Sequence, residues 1–470
     1  MLRLQHLPFV AMFLACGFAP VLAEQQPVAR PNIIFILADD LGYGDVGCYG
    51  QKRIQTPNID RLAKEGMRFT DFYAGSTVCA PSRCVLMTGY HTGHCLIRGN
   101  AKDNLRPKDV TVAEVLKTAG YTTALYGKWG LGHEGSTGVP TKQGFDHFFG
   151  YLDQGHAHNY YPAFLMKGEA RFPLRNEVPP GATEFGSGVA TKKTDYSHDL
   201  IAEEALRFLS SQKSTVGPFF MYLAFTTPHA NNEAGKAGME VPDYGSYAKT
   251  DWPLSQKGHA AMITRMDADI GRILAKLQEQ GEDETTLIFF SSDNGPHREG
   301  GADPNFSDSN GPLQGTKRDL TDGGIRVPFI ARWPGRIAAG SESKFVSGFQ
   351  DILPTLAELT GATEHVPKDI DGLSILPTLR SQPEKQQQHD YLYWAFYEGN
   401  RAGQAVRMGD YKAIQQPLAS AVRLYDVSRD IGEEKDLAGE KPELVVKAKE
   451  AMAKANRPSE KWKFPIPKTK

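Results

Sequence analysis

Four apolar segments of strand length, each ended abruptly by polar residues, constrain the fold of this 470-residue chain more than any other feature. They are rich in β-branched and aromatic residues and span 32–38, 121–126, 218–225 and 286–292. Because their apolar character is continuous rather than alternating, we expect strands that are buried on both faces, as in a parallel sheet. The polar residues that follow them include Asp39 and Asp40, Lys128, His229, and Asp293 and Asn294.

Helical patterns lie between these strands, so the sequence predicts an α/β fold. We expect helices over 56–66, 110–119, 199–212 and 259–280, the last with apolar residues along one face. Strands that alternate with helices predict a doubly wound, mostly parallel sheet, in which ligands bind beyond the carboxyl ends of the strands. The polar residues that follow the four strands should therefore meet at one edge of the sheet.

A polar stretch at 381–389 divides the chain into a large and a small part. Beyond it, 405–414 and 422–427 have the composition of strands in a small antiparallel sheet, and 442–455 has that of an amphipathic helix. We therefore predict a large α/β domain over 24–380 and a small α+β domain over 390–470. The chain is longer than a typical domain with a single hydrophobic core, which also agrees with two domains.

The first 23 residues have the pattern of an export signal, with a positive start, an apolar run and small residues at the cleavage site. We expect the mature protein to be periplasmic or secreted. The residues around Cys16 also resemble a weak lipoprotein signal, so a lipid anchor at Cys16 is the alternative. No second apolar stretch predicts a transmembrane span. The 53 basic and 55 acidic side chains form no long block of one sign, which argues against a nucleic-acid partner.

Four cysteines remain after the export signal: Cys48, Cys79, Cys84 and Cys95. In an oxidising compartment an even number favours two disulfides. If Cys79 has a chemical role instead, at most one disulfide can form among the other three.

Two pairs of oxygen donors follow separate strands, namely Asp39 with Asp40 and Asp293 with Asn294. Residues of this kind are commonly turn or cap residues when they occur alone. Here both pairs follow apolar strands that should end at the same edge of a sheet. Four oxygen ligands without histidine or thiolate favour a hard cation, and we expect Ca²⁺ ahead of Mg²⁺.

One segment carries a specific motif, because residues 79–89 read Cys-Ala-Pro-Ser-Arg-Cys-Val-Leu-Met-Thr-Gly. This order of cysteine, proline and arginine, followed by leucine and Thr-Gly, resembles the signature of the sulfatase family. The resemblance implies that a maturation enzyme oxidises Cys79 to formylglycine (3-oxoalanine). It also implies that the aldehyde hydrate attacks sulfur and later expels sulfate by re-forming the aldehyde. If Cys79 begins a helix, Arg83 lies one turn later on the same side, where its guanidinium can steady the hydrate.

The resemblance continues over about residues 32–335. The strings PNIIFILADDLGYGD, GYTTALYGKWGLG, SSDNGPH and GPLQGTKRDLTDGGIRVPF occur in the order typical of sulfatases. They imply an alkaline-phosphatase-like sandwich around a large, mostly parallel sheet, followed by a smaller C-terminal domain of antiparallel sheet and helix. They further imply that the metal is held by the side chain at position 79 together with Asp39, Asp40, Asp293 and Asn294.

Three basic residues match further positions of the family: Lys128, His229 and Lys317. Cations around a sulfate should stabilise charge on its oxygens and on the leaving oxygen. His229 or Lys317 would protonate the departing alcohol, a task that suits histidine near neutral pH.

The chain departs from the family pattern at Gly130. Many sulfatases have a histidine two residues after the lysine that corresponds to Lys128, and that histidine is assigned to deprotonating the hydrate. The candidates to replace it are His133 in the same loop, and His156 or His158 in a later segment.

The sequence therefore predicts a sulfuric ester hydrolase that acts on a sulfated carbohydrate, with aryl sulfates as artificial substrates. Loops 132–143, 156–189 and 231–253 should determine which sugar is bound. A phosphate or phosphonate ester hydrolase of the same superfamily is one alternative. A non-catalytic protein that binds sulfated glycans is the other.

Overall fold

The computed structural model describes residues 30–179, 186–212 and 217–464. Its strands are β1 Asn32–Ala38, β2 Met67–Phe69, β3 Phe72–Tyr73, β4 Thr122–Lys128, β5 His147–Tyr151, β6 Phe164–Lys167, β7 Ala170–Pro173, β8 Phe219–Ala224, β9 Thr286–Ser292, β10 Phe329–Arg332, β11 Ser341–Ser343, β12 Ser347–Gly348, β13 Leu392–Phe396, β14 Gly403–Met408, β15 Tyr411–Gln415 and β16 Arg423–Asp426. Its α-helices are α1 Pro57–Glu65, α2 Cys79–Thr88, α3 Val112–Thr118, α4 Ser197–Ser211, α5 Leu254–Gln280, α6 Pro304–Ser307, α7 Asp322–Ile325, α8 Ile352–Thr360, α9 Leu376–Leu379 and α10 Pro442–Ala455. The expected export signal over 1–23 and Cys16 lie outside the described residues.

Ten strands form one large sheet in the order β11-β2-β10-β9-β1-β8-β4-β5-β6-β7. The five consecutive strands β9, β1, β8, β4 and β5 run parallel to one another. Antiparallel pairs flank them, formed by β10 with β9 and β2 on one side and by β6 with β5 and β7 on the other. The sheet is therefore mixed and mostly parallel, which confirms the predicted fold class.

Helices cover both faces of the large sheet, and β1 shows how the sequence directs this arrangement. Ile33, Phe35 and Leu37 pack into one core with residues of α2, α3 and α8. Ile34 and Ile36 point to the opposite face and pack with residues of α1, α4 and α5. Every residue of β1 is buried, as its continuous apolar sequence predicts.

The strands β13 to β16 form a separate antiparallel sheet in sequence order, and α10 packs against it. This arrangement confirms the predicted C-terminal sheet with a helix. The single strand predicted over 405–414 is wrong, because the chain turns at Gly409 between β14 and β15. Gly409 has a φ of 57°, a conformation that glycine adopts readily and that lets the hairpin form.

A buried ionic cluster joins the C-terminal sheet to the segment that follows Lys317. Nζ of Lys412 in β15 lies 2.6 Å from Oδ1 of Asp322 and 3.0 Å from Oε1 of Glu433, and all three side chains are fully buried. Loss of one partner from such a cluster leaves a buried charge uncompensated. The cluster therefore links β15 of the small sheet to α7, which lies between Lys317 and β10 in the chain.

The described cysteines Cys48, Cys79, Cys84 and Cys95 are all free thiols. The two disulfides that an even number of cysteines would favour are therefore absent from the described residues. Among those residues, no helix combines the length and the apolar character that a membrane crossing requires.

Candidate active site

Four neighbouring strands of the large sheet, β9, β1, β8 and β4, end at one edge, and the polar residues that follow them meet there. Asp39 and Asp40 follow β1, Asp293 follows β9, His229 lies beyond the end of β8, and Lys128 is the last residue of β4. All of these side chains are buried. The edge predicted from the ends of the apolar segments is therefore a real cluster of polar residues.

Cys79 is the first residue of α2, which is the condition under which Arg83 lies one turn later on the same side, and Cys79 lies against the aspartates. Its Sγ is 3.2 Å from Oδ1 of Asp39 and 3.9 Å from Oδ1 of Asp40. Burial, together with the charges of Asp293 and Asp39, raises the pKa of the Cys79 thiol well above its usual value. The unmodified thiol is therefore protonated at neutral pH, and a protonated thiol is a poor nucleophile.

Arg83 lies one turn after Cys79 on α2 and connects this helix to two strands. Its Nε and Nη2 donate to Oδ2 of Asp293 at 3.0 and 2.8 Å, and its Nη1 donates to the backbone oxygen of Lys128 at 2.6 Å. The side chain is fully buried. A planar guanidinium with several fixed acceptors has little freedom to move, so Arg83 fixes the start of α2 relative to the ends of β9 and β4.

Two lysines and a histidine face the carboxylates. Nζ of Lys128 donates to Oδ2 of Asp39 at 2.7 Å, and Nζ of Lys317 donates to Oδ2 of Asp40 at 2.7 Å. Nε2 of His229 lies 3.1 Å from Nζ of Lys317, and its Nδ1 lies 2.7 Å from the next backbone carbonyl oxygen. The proton of neutral His229 therefore resides on Nδ1, and Nε2 accepts a hydrogen bond from Lys317. Burial and the charge of Lys317 hold the pKa of His229 well below its usual value.

The cluster balances buried carboxylates with buried cations. The carboxylates are Asp39, Asp40 and Asp293, and the cations are Arg83, Lys128 and Lys317. Although burial acts to raise the pKa of Asp39, the charge of Lys128 and its neighbours holds it well below its usual range. Burial and the charge of Asp39 raise the pKa of Asp293 to about 7. Asp40 has a φ of 64°, an uncommon conformation for a residue other than glycine that is often found at functional sites.

Oxygen donors in the cluster could hold a cation. Nδ2 of Asn294 donates to Oδ1 of Asp40 at 2.6 Å, and the backbone N–H of Asp40 donates to Oδ1 of Asp293 at 3.1 Å. Oδ1 of Asn294 is buried and has no hydrogen-bond partner among the described residues. An unpaired acceptor beside several carboxylates fits a hard divalent cation. One group of ligand atoms lies within 4.8 Å of one another, contributed by Asp39, Asp40, Cys79 and His229.

A glutamine side chain occupies the space beside Gly130, where the resemblance would place a histidine. A Cβ added at Gly130 would lie 1.9 Å from Nε2 of Gln154. Both polar atoms of the Gln154 side chain are buried and have no hydrogen-bond partner among the described residues. The sequence does not predict this placement, because an amide in a loop has no pattern that reveals its position.

Gly130→Ala is expected to lower the free energy of unfolding more than Gly135→Ala. Both glycines have a left-handed φ, 79° and 77°, so either alanine costs about 1–2 kcal/mol in backbone strain. A Cβ at Gly135 meets no atom within 4 Å, whereas at Gly130 the displacement of Gln154 should add roughly 1 kcal/mol. Denaturant unfolding measures the difference, and adding Gln154→Ala should remove it. Equal stability of the two single variants would contradict this account.

Of the three candidate histidines, His158 is the one in contact with the cluster through its ring. The ring of His158 stacks on that of His229 with centroids 4.8 Å apart. Nδ1 of His133 lies 3.4 Å from Oδ2 of Asp153. His156 packs against two aromatic rings and lines a separate small cavity together with His133. The structure therefore groups His133 with His156, and His158 with His229.

The chain matches two protein-family models, one described as Sulfatase over residues 31–362 and one described as N-sulphoglucosamine sulphohydrolase, C-terminal, over residues 315–457. N-acetylgalactosamine-6-sulfatase of Mus musculus is 33% identical, over 82% of this chain and 71% of its own length. Arylsulfatase A of Homo sapiens is 33% identical, over 90% of this chain and 87% of its own length. The solved structure of Ps i-CgsB in complex with k-i-k-neocarrahexaose has a TM-score of 0.75 at 28% identity, and the match covers 91% of this chain and 94% of that chain.

Proposed function

The chain belongs to the sulfatase family, and we propose that it hydrolyses sulfate monoesters of carbohydrates and releases inorganic sulfate. The observation that carries this proposal is the position of Cys79 at the start of α2, with its Sγ 3.2 Å from Oδ1 of Asp39. Buried ammonium groups of Lys128 and Lys317 flank the same point. This arrangement suits the binding of an anionic ester beside a nucleophile.

Position 79 provides the nucleophile in this proposal, after a maturation enzyme has converted Cys79 to formylglycine. The hydrated aldehyde supplies one oxygen to attack sulfur and a second whose deprotonation releases sulfate. The start of α2 supports this role, because the field of a helix N-terminus favours negative charge. Arg83 holds α2 against Asp293 and thereby fixes where residue 79 stands.

The two lysines bind the sulfate oxygens and stabilise the charge that grows on them. A single fixed donor of this kind is worth about 10²–10³-fold in rate. His229 accepts from Lys317 and so keeps that ammonium group directed toward Asp40. The only N–H of neutral His229 donates to a backbone oxygen. Of His229 and Lys317, the two residues expected to protonate the leaving alcohol, Lys317 is therefore the one that can donate a proton.

We propose that the site holds a divalent cation, Ca²⁺ in preference to Mg²⁺. Its ligands would be Asp39, Asp40, Asp293, Asn294 and the side chain at position 79. The unpaired Oδ1 of Asn294 and the adjacent buried carboxylates support this donor set. A bound cation would provide Lewis-acid stabilisation of negative charge at residue 79 and on the sulfate.

A sulfated carbohydrate is the proposed substrate because similar proteins are named for such substrates or were solved with a saccharide. They include N-acetylgalactosamine-6-sulfatase and Ps i-CgsB in complex with k-i-k-neocarrahexaose. The similarity to arylsulfatase A supports aryl sulfates as artificial substrates. The export signal over 1–23 suits a periplasmic or secreted enzyme, with a lipid anchor at Cys16 as the alternative. Residues 24–380 would form the catalytic domain and 390–470 the small domain.

Protein produced in a host that makes formylglycine is expected to hydrolyse 4-nitrophenyl sulfate faster than 4-nitrophenyl phosphate. A panel of defined sulfated saccharides, with released sulfate measured by ion chromatography, then identifies the sugar and the position cleaved. Faster turnover of the phosphate would favour the phosphate or phosphonate ester hydrolase instead. Binding of sulfated saccharides without turnover, together with an unmodified Cys79 in the mass spectrum, would favour the non-catalytic alternative.

A further inference from the structure

A glutamine beside the C-terminal sheet contacts the Lys317 loop, residues 315–321 between α6 and α7. This residue, Gln416, directly follows β15. Its Oε1 accepts a hydrogen bond from the backbone N–H of Leu320 at 2.8 Å, and its Nε2 donates to the backbone oxygen of Arg318 at 2.9 Å. Nε2 also donates to the backbone oxygen of Arg401, between β13 and β14, at 2.7 Å. One amide group therefore joins the Lys317 loop to the C-terminal part of the chain.

The residue after Lys317 has an unusual backbone conformation. Arg318 has a φ of 75°, which a residue other than glycine keeps only where its surroundings fix it. Its backbone N–H donates to the oxygen of Thr77 at 3.0 Å, two residues before Cys79, and its backbone oxygen accepts from Nε2 of Gln416. Gln416 is therefore one of two partners that hold the backbone directly after Lys317.

Other contacts of the Lys317 loop leave a specific task to Gln416. The backbone N–H of Lys317 donates to the oxygen of Pro296 at 2.9 Å, so the large domain holds the start of the loop. From the C-terminal side, Arg401 forms an ion pair with Asp319, but these side chains are 50% and 28% exposed. Exposed ion pairs contribute little to stability. The half-buried amide of Gln416 is thus the firmer contact from the C-terminal side.

The side chain of Lys317 has a closely defined position in the proposed active site. Its Nζ lies 2.7 Å from Oδ2 of Asp40 and 3.1 Å from Nε2 of His229. A change in the backbone directly after Lys317 would therefore move the ammonium group or weaken one of these bonds. Displacement of a reacting group by about 1 Å can cost on the order of 10²-fold in rate.

We propose that Gln416 is a positioning residue of the active site, which acts through Lys317 by fixing the backbone that follows it. This inference rests on the sulfatase activity proposed above, in which Lys317 binds sulfate and protonates the leaving alcohol. It gives the C-terminal part of the chain a role in the reaction.

Gln416→Ala is expected to lower kcat for 4-nitrophenyl sulfate about 10-fold. KM should stay within about threefold, because Lys128 is unaffected. When Lys317 is also replaced by alanine, the loss caused by Gln416→Ala should shrink to less than about twofold, because the group through which Gln416 acts is then missing. Hydrogen–deuterium exchange of peptides that contain residues 315–321 should be faster in Gln416→Ala, because the N–H of Leu320 has lost its acceptor.

Gln415→Ala is the matched control. Nε2 of Gln415 also donates to two backbone oxygens, those of Leu418 and Ser420 at 3.0 and 3.3 Å, but both lie in the C-terminal part of the chain. This variant should keep kcat within about twofold and leave exchange of residues 315–321 unchanged. Every variant is compared at equal formylglycine content and after its melting temperature has been measured.

If Gln416→Ala does not fold, Gln416→Glu keeps the acceptor for Leu320 but loses the donor to Arg318, so kcat should again fall in a way that depends on Lys317. An unchanged kcat, unchanged exchange in Gln416→Ala, or a loss that persists in full without Lys317 would overturn the role of Gln416. Lack of sulfate release from every ester by the enzyme without substitutions would instead refute the proposed function. The exchange comparison does not depend on turnover, so it distinguishes the two failures.

Discussion

Cys79→Ala is expected to lower sulfate release on the order of 10⁶-fold, the loss seen when a hydrolase loses its covalent nucleophile. Alanine cannot be converted to an aldehyde, so no hydrate can form beside Asp39 and Asp40, where Sγ of Cys79 now lies at 3.2 and 3.9 Å from their oxygens. The lysines proposed to bind sulfate are unchanged, so substrate binding should persist. Turnover of 4-nitrophenyl sulfate and equilibrium binding of an unhydrolysed sulfate ester measure the two quantities separately.

Cys84→Ala is the matched control for this substitution. Cys84 is a free, buried thiol on the same helix and packs in the core beneath the large sheet. Its loss should cost about 1 kcal/mol of stability through a small cavity and leave turnover within about twofold of the original. In a host without the maturation enzyme, the chain should retain the Cys79 thiol and show the low activity of Cys79→Ala. Full turnover by Cys79→Ala would disprove the central mechanism.

The parallel strands of the large sheet are the part of the fold that the sequence predicts best. β1 and β9 have the predicted bounds, because strands buried on both faces need apolar residues at every position. The single strand predicted over 405–414 is wrong because apolar residues alone do not reveal where a strand ends. Apolar residues continue on both sides of Gly409 and suggest one strand, although Gly409 and Asp410 form a hairpin turn between two. β13 is buried along its length, but it directly follows a polar stretch, and this hides it in the sequence.

The candidate site also contains some residues whose proximity the sequence predicts and others whose proximity it does not. Asp39, Asp293 and Lys128 were predictable as neighbours because parallel strands bring their carboxyl ends to one edge. The motif identifies Cys79 and Arg83, whereas the start of α2 at Cys79 enters only as a condition that the structure meets. The contact of His158 with His229 was not predictable, because the two residues lie in separate loops whose approach depends on the folded sheet. The sequence therefore leaves three histidines as candidates, and contacts in the structure distinguish them.

Ca²⁺ is expected to stabilise the folded protein, and Asp293→Asn is expected to remove most of this effect. The side chains of Asp39, Asp40 and Asp293 are fully buried, so a bound cation would lower the energy of carboxylates that repel one another. After removal of divalent ions with a chelator, free Ca²⁺ at 100 times its Kd should stabilise the native state by about 2.7 kcal/mol. The melting temperature should rise accordingly, and Mg²⁺ should raise it less because it tolerates only a narrow octahedral geometry.

Asparagine at position 293 keeps the shape of the side chain but removes one charge that faces Arg83 and the proposed cation. We expect turnover to fall by at least about 10²-fold and the Ca²⁺-dependent rise in melting temperature to shrink. Asp45→Asn is the matched control, because Asp45 is equally buried but binds the backbone N–H of Gly42. This variant should keep the rise even if it is less stable. A full rise in Asp293→Asn, or none in the original protein, would contradict the metal site. Because melting does not require turnover, the result bears on the cation separately from the chemistry of Cys79.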